Sequence, residues 1–358
     1  MQNPAAENDQ YKPSCQSPIF GMQTLYTSVR IPKVVVAADG TVLAFADSCR
    51  QLRRSENGGK TWSPVQNVGL NGAGNAVVDD NSGDVLVVVP PHGQLWRSCD
   101  HGKTWACEEI DVKPNAIGHG PADGAPASVG ASESGMTLRF GEHKGRLLMP
   151  ARIQPPNGDN AQEYWCYNYN TAIYSDDGGK TWQTSGPVQS GTGEGTLAEL
   201  SDGEVYYNSR CHMAVDHRRR IAWSHDGGHM WTDWQVSEHL YEIGEPFYFK
   251  YGSKPSYGCN AGLVRMPLEA TDGKDVVLFS TPDNPGGSRV RMTVWASFDR
   301  CKTWPVKRLV YEGPSAYSSI TADKDGILYL LFESAAEKLY ERLSLARFNL
   351  DWLAEGQQ

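Results

Sequence analysis

Apolar residues in this chain come in short, strand-sized runs, at residues 34–37, 42–46, 85–89, 146–150, 276–280 and 327–332. Turn-forming residues separate them, and 37 glycines and 21 prolines mark a turn-rich chain. No segment before residue 335 keeps a helical period over three turns. Runs of this length, β-branched and bounded by Gly, Pro, Asp and Asn, predict strands. The expectation is an all-β fold.

An eight-residue pattern recurs five times. Its copies are Ser55-Glu56-Asn57-Gly58-Gly59-Lys60-Thr61-Trp62, Ser98-Cys99-Asp100-His101-Gly102-Lys103-Thr104-Trp105, Ser175-Asp176-Asp177-Gly178-Gly179-Lys180-Thr181-Trp182, Ser224-His225-Asp226-Gly227-Gly228-His229-Met230-Trp231 and Ser297-Phe298-Asp299-Arg300-Cys301-Lys302-Thr303-Trp304. The last has lost its glycine. Successive copies lie 43, 77, 49 and 73 residues apart. The shorter spacings suit one four-stranded propeller blade, and the longer ones a blade with insertions or one lacking the pattern. Such a box is hairpin-turn chemistry. The Asp or Asn accepts hydrogen bonds from turn amides, Gly takes the positive-φ position, and Trp packs beneath. Strand-like residues precede each of the later copies, as in Leu95-Trp96-Arg97, Thr171-Ala172-Ile173-Tyr174, Arg220-Ile221-Ala222-Trp223 and Met292-Thr293-Val294-Trp295.

Composition narrows the classes. With 33 Lys and Arg against 42 Asp and Glu, the 358 residues carry a formal charge of −9. A nucleic-acid backbone is therefore not the expected partner. No apolar run nears the ~20 residues that span a bilayer. The first twenty residues are polar, have no signal-peptide core and read as an N-terminal extension to one domain covering 1–358; the expected location is nonetheless secreted or periplasmic. Eight cysteines at 15, 49, 99, 107, 166, 211, 259 and 301 include no CxxC pair. Buried free thiols or a few disulfides both fit, and Cys211-His212 lacks the second half of a zinc site.

The boxes resemble the Asp boxes, or BNR repeats, of sialidase-type propellers, which implies a six-bladed propeller of four-stranded antiparallel blades, with seven blades as the alternative. A second layer is similar to the exo-sialidases, or neuraminidases. Arg30-Ile31-Pro32, then Val34-Val35-Val36 and Phe45-Ala46-Asp47, resembles their Arg-Ile-Pro, apolar strand and Phe-Ala-Glu. Glu194 precedes Arg210 by sixteen residues, similar to the catalytic glutamate and second arginine of that family. Arg289, eight residues before Ser297, matches the third arginine, with Arg291 a competitor two residues on. Ser315-Ala316-Tyr317-Ser318-Ser319 resembles the nucleophile motif, and Glu333 sits where the family braces its first arginine. The glycines of Gly191-Thr192-Gly193-Glu194-Gly195 superficially suit a dinucleotide loop, but no strand–helix unit follows.

The chemistry explains why these residue types belong together. A 2-keto-3-deoxy sugar acid carries its carboxylate on the anomeric carbon, and three guanidiniums can fix it by charge-assisted hydrogen bonds. A neutral tyrosine nucleophile avoids the repulsion a carboxylate would meet there, and sialidases are an exception of this kind among glycosidases. Glu194 would serve as base to Tyr317, and the clustered arginines are expected to lower the phenol's pKa.

One departure stands out. The family's loop after Phe-Ala-Glu carries the aspartate that protonates the leaving group. Here Phe45-Ala46-Asp47-Ser48-Cys49-Arg50 runs directly into the first box. Asp47 could supply the acid, although it aligns with the glutamate of Phe-Ala-Glu. Segments around Asp123 or Asp159 could supply it instead, or the leaving group needs little protonation, or catalysis has been lost. The resemblance thus implies an exo-acting retaining hydrolase of α-ketosidically linked sialic or related sugar acids, with Tyr317, Glu194 and Asp47 catalytic. Arg30, Arg210, Arg289, Glu333 and Arg50 would bind substrate. Alternatives are a non-catalytic sugar-acid-binding propeller and a trans-sialidase-like transferase. No cofactor or metal is required; the expected partner is a glycoconjugate or oligosaccharide with a terminal sugar acid, met by a monomer.

Overall fold

A computed structural model describes residues 17–112, 128–154, 168–244 and 257–355. After β1 (Phe20–Thr27) come β2 (Lys33–Val36), β3 (Val42–Ala46), β4 (Gln51–Ser55) and β5 (Gln66–Asn67), which form one four-stranded antiparallel sheet. A second contains β6 (Asn75–Val78), β7 (Val85–Val89), β8 (Gln94–Ser98) and β9 (Ala106–Glu109). The third has β10 (Ser128–Ala131), β11 (Met136–Thr137), β12 (Leu147–Gln154), β13 (Tyr169–Ser175) and β14 (Gln183–Thr184), with β10 and β11 both pairing β12. The fourth runs β15 (Thr192–Glu199), β16 (Val205–Cys211), β17 (Arg218–Ser224), β18 (Thr232–Tyr241).

The remaining strands are β19 (Gly262–Arg265), β20 (Val277–Pro282), β21 (Val290–Ser297), β22 (Val306–Ala322), β23 (Leu328–Ser334) and β24 (Arg342–Phe348). With β1 they make a seven-stranded sheet ordered β1-β24-β23-β22-β21-β20-β19. The long β22 bridges its halves: residues up to Pro314 pair with β21, and residues from Ser315 pair with β23. A short helix, α1 (Leu350–Glu355), follows. The arrangement is an all-β propeller.

Each sheet buries both faces against its neighbours, which is why the strands read as continuous apolar runs. Phe45 and Leu43 of β3 pack with Val85 and Val87 of β7. Leu86 and Val88 meet Leu147 and Met149 of β12, and Leu148 and Tyr174 meet Leu197 and Tyr207. Tyr206 and Ile221 meet Phe279 and Trp295. Leu331 and Leu345 close onto Val42 and Ala44 of the first sheet.

The boxes fill the turns between the third and fourth strands. Asp177 Oδ1 accepts the Lys180 and Thr181 amides at 3.0 and 2.9 Å, Gly178 and Gly179 take φ of 72° and 88°, and Trp182 Nε1 donates to the Gly179 carbonyl at 3.0 Å. In the glycine-less copy Arg300 and Cys301 adopt φ of 65° and 64° themselves. The Cys301 amide still donates to Ser297 Oγ at 3.0 Å, so the turn survives at a local conformational cost.

Of the described cysteines, Cys49, Cys211, Cys259 and Cys301 are buried thiols and Cys99 and Cys107 exposed ones. Among the described residues, no helix is long and apolar enough to cross a membrane. No group of three or more His, Cys, Asp or Glu side chains is placed to hold a metal ion among them.

Candidate active site

A cavity of about 280 Å³ opens where the first strands of the sheets converge. Its floor is tied together by one buried carboxylate. Glu133 accepts from Lys33 Nζ at 2.9 Å, Asn260 Nδ2 at 2.9 Å and Ser319 Oγ at 2.7 Å, joining residues of three sheets or their connections. A buried charge is tolerable there because it is paired and fully hydrogen-bonded.

Arg30, Arg210 and Arg289, from separate sheets or their connections, all line this cavity, together with Glu194, Tyr317 and Tyr340. Each arginine is held in a different way. Arg30 donates from Nε to Glu333 Oε1 at 3.0 Å and from Nη2 to Oε2 at 3.3 Å, a bidentate pair. Its guanidinium lies 3.7 Å from the Tyr340 ring centroid. Arg210 Nε donates to the Tyr257 carbonyl at 2.7 Å, and Arg289 Nη2 donates to the next carbonyl, of Gly258, at 3.0 Å. Arg289 Nη1 also donates to Tyr340 Oη at 2.8 Å. Arg291 instead turns outward to Glu312 at 2.7 Å and does not line the cavity.

The carbonyls that hold Arg210 and Arg289 are themselves anchored by a fully buried ion pair. Arg219 Nη1 donates to Glu242 Oε1 at 3.0 Å and to the Cys259 carbonyl at 2.9 Å. Glu242 in turn accepts the amides of Cys211 at 3.2 Å and Cys259 at 3.3 Å. One pair therefore sets the backbone beneath both arginines.

At the centre the Tyr317 hydroxyl donates to Glu194 Oε1, while Arg210 Nη1 donates to Glu194 Oε2 and, at 3.1 Å, to Tyr317 Oη. The glycines around Glu194 serve packing and not phosphate binding. A Cβ on Gly193 would stand 2.1 Å from His212 Nε2, and one on Gly195 would stand 2.3 Å from both Asn170 Nδ2 and Tyr207 Cε1. Burial would raise the Glu194 carboxyl, but Arg210, Arg152 and the Tyr317 hydrogen bond hold it well below the usual carboxylate range. The tyrosine corrects the sequence expectation. Burial first, then the charge of Glu194, pushes its pKa above the ordinary phenol value, and Arg210 and Arg289 offset only part of this. The proton thus resides on Tyr317 and its acceptor is already ionised, an arrangement suited to transferring the proton as the oxygen attacks.

Asp47 and Arg50 lie apart from this cluster. Arg50 Nη1 donates to both Asp47 oxygens at 3.2 Å, and Arg50 Nε to the Gly72 carbonyl at 3.2 Å. Neither side chain lines the cavity, although Ser48 beside them does, and the Asp47 amide donates to the Arg30 carbonyl at 2.7 Å. Asp47, Ser48 and Cys49 all take positive φ, of 53°, 54° and 70°, a tight left-handed turn in place of a longer loop. Asp123 and Asp159 lie outside the described residues.

Sequence reasoning missed three contributors. Tyr340 gave no signal, since it lies in a polar loop. Arg152 was visible as a lone charge in the apolar strand Leu147-Leu148-Met149-Pro150-Ala151-Arg152-Ile153. The Arg219–Glu242 pair joins residues of no common motif.

Comparison with known proteins follows this geometry. A family described as BNR repeat-like domain matches residues 91–330. The sialidase of Micromonospora viridifaciens is 30% identical over 379 residues, covering 92% of this chain and 52% of its own length. That of Bacteroides fragilis is 27% identical, covering 84% of this chain and 59% of its own. The chain thus spans little more than half the length of either. The Hadza microbial sialidase Hz136 superimposes with a TM-score of 0.71 at 24% identity, over 91% of this chain and 66% of that one. The intramolecular trans-sialidase of Ruminococcus gnavus shares the fold with a TM-score of 0.68 at 16% identity, over 91% and 95% of the two chains. Four of the five boxes fall inside the matched span and the relatives carry the likeness across the rest, so the chain belongs to the sialidase family with BNR repeats.

Proposed function

We propose that this protein is an exo-acting, retaining glycoside hydrolase that cleaves a terminal α-ketosidic bond to sialic acid or a related 2-keto-3-deoxy sugar acid. The observation that carries this reading is the hydrogen-bonded Tyr317–Glu194–Arg210 cluster beside Arg30 and Arg289 in one cavity. The three guanidiniums take the substrate carboxylate. Tyr317 Oη attacks the anomeric carbon as its proton passes to Glu194, and the aglycone oxygen departs with a proton from an acid. Water then attacks the tyrosyl adduct, giving its proton to the carboxylate that the acid has become, while Tyr317 Oη departs and takes its proton back from Glu194, and the sugar acid leaves with its original anomeric configuration. Asp47 is our assignment for the acid, as the carboxylate closest in sequence to the family's missing acid loop, next to the cavity-lining Ser48. In this reading the seven-stranded sheet is two four-stranded blades sharing β22, giving a six-bladed, single-domain monomer.

A 3-fluoro sugar acid with a good leaving group tests the mechanism. A covalent adduct on Tyr317, located by intact mass and peptide mapping, is the expected result. An adduct elsewhere, or turnover with none, rejects the assignment. A second reading, a non-catalytic sugar-acid-binding propeller, is favoured by one observation. Among the described residues lining the cavity, Glu194 is the sole carboxylate. Such a protein would bind the same acids and release no aglycone.

A further inference from the structure

The cavity holds a guanidinium that the mechanism above does not use. Arg152, on β12, projects into the cavity, and its Nε is buried without a hydrogen-bond partner. Its strand neighbours offer it nothing: Gly130 stands opposite on β10 and Asn170 opposite on β13. Asn170 Oδ1, the one acceptor on that side chain, is itself buried without a partner and does not take the Arg152 Nε–H, while its nitrogen donates to Ser209 Oγ at 3.1 Å. Arginine carries five N–H donors in a fixed fork, and a buried donor left unsatisfied is costly. A second lining group is in the complementary state: Asn260 donates to Glu133, while its Oδ1 is buried and unpartnered. One cavity therefore presents both an unused donor and an unused acceptor.

The rest of the wall is polar or small. Besides the arginine clamp, the Glu194–Tyr317 centre and the flanking Lys33 and His212, the described lining includes Ser48, Ala73, Gly74, Asn75, Ser132 and Asn260. Among the described lining residues, Ile31 and Ala73 are the only aliphatic side chains, and Ile31 adjoins Arg30. An N-acyl group would bring an acceptor carbonyl but also a methyl, and the described lining gives that methyl no apolar seat beside Arg152. A hydroxyl both donates and accepts, matching the two unused groups.

We propose that Arg152 is a specificity-determining residue that selects a sugar acid bearing a free hydroxyl where sialic acid carries its N-acyl group, so that the preferred ligand is of the deaminated class. This rests on the sugar-acid reading of the site and deepens it. Calorimetry with two free acids tests it: the N-acetylated nine-carbon acid and its deaminated counterpart. Wild type should bind the deaminated acid at least about tenfold more tightly, the scale of one lost hydrogen bond to a charged group. Arg152→Met, which keeps the stem and removes the donors, should erase that ratio, while Arg152→Lys should retain part of it. Melting curves confirm that each variant is folded.

The charge of Arg152 also acts on Glu194, so Arg152→Met will change kcat on aryl ketosides of both acids alike. Only the ratio between the acids reports selection. Equal or tighter binding of the N-acetylated acid by wild type overturns the proposal and leaves the sugar-acid reading standing. A deaminated preference that persists in Arg152→Met overturns it as well. Failure of wild type to bind either acid overturns the sugar-acid reading, and the proposal with it.

Discussion

Glu333 grips Arg30 with both carboxylate oxygens, at 3.0 and 3.3 Å, from a position with no solvent exposure. The same two oxygens accept the backbone amides of Ile31 at 3.1 Å and Tyr317 at 3.2 Å. A single side chain thus fixes a clamp arginine, the left-handed Ile31 that follows it, and the backbone of the proposed nucleophile.

Glu333→Gln keeps the shape but removes the charge. It should weaken binding of a sugar acid by roughly 10- to 100-fold, the range of one charge-assisted hydrogen bond. Stability should fall less, because Arg30 is 38% exposed and can be rehydrated. Calorimetry and melting curves read the two effects separately. Unchanged affinity would show that Arg30 needs no brace.

The Arg219–Glu242 pair should matter to stability far more than any surface pair. Removing one partner leaves a buried charge uncompensated, at a cost of about 3–5 kcal/mol. Glu242→Gln is expected to show this in urea denaturation, and to weaken sugar-acid binding in whatever protein remains folded. Loss of stability with wild-type affinity would mean that the 257–259 backbone holds Arg210 and Arg289 unaided.

Gly195→Ala isolates the approach of Glu194 to its neighbours. The new methyl would meet Asn170 and the Tyr207 ring at 2.3 Å. Both are fully buried, so relief must come from moving the strand that carries Glu194. Activity should drop at least tenfold, with a loss of about 1–3 kcal/mol in stability for an overpacked core. Full activity would place the catalytic geometry elsewhere.

Asp100 gives the boxes a pH signature. Its slight burial acts upward, but hydrogen bonds from Thr104, Ser98 and Lys103 bring it to about 2, below its ordinary 3.8. A carboxyl depressed on folding stabilises the protein above its unfolded pKa and loses that contribution as pH falls through the folded value. The stability gap between wild type and Asp100→Asn, followed by urea midpoints, should therefore narrow as pH drops from 4 toward 2. A constant gap would mean that the ionised form contributes nothing.

The leaving group tests Asp47. General-acid help is worth typically ~10²–10⁴-fold, and most when the departing group is a poor one. Asp47→Asn should slow cleavage of a sugar ketoside far more than of an aryl ketoside. Equal losses on both would make Asp47 structural and turn the search to Asp123 and Asp159.

What the sequence disclosed followed from locality. The box turns were legible because each closes within eight residues, and the strands because both sheet faces are buried. Glu194, Arg210 and Tyr317 were suggested by motif, and the fold puts them in contact. Their electrostatic balance was not legible, because the upward push on Tyr317 comes from burial that no motif encodes. Tyr340 stayed hidden because its partners Arg30 and Arg289 come from loops distant in sequence, and the Arg219–Glu242 pair because its members, 23 residues apart, share no motif. Arg50 was expected among the substrate-binding arginines, but it does not line the cavity. The turn before β4 directs its guanidinium to Asp47 and Gly72 instead of the cavity.

The antiparallel pairing of β1 with β24 joins residues more than three hundred positions apart, from Phe20 with Phe348 to Thr27 with Arg342. Arg30 follows β1 by three residues, and Glu333 lies on β23, the strand next to β24. Ring closure and assembly of the Arg30–Glu333 grip are therefore a single event, and it comes late. During synthesis the early strands must wait for the last ones before the clasp can form, and pairing across so long a separation is intrinsically slow. An open ring would carry Arg210 and Arg289 but no complete clamp. Ligand would then recognise only the closed state and favour it by mass action, making a bound sugar acid a latch on the seam of the ring as well as the object of the chemistry.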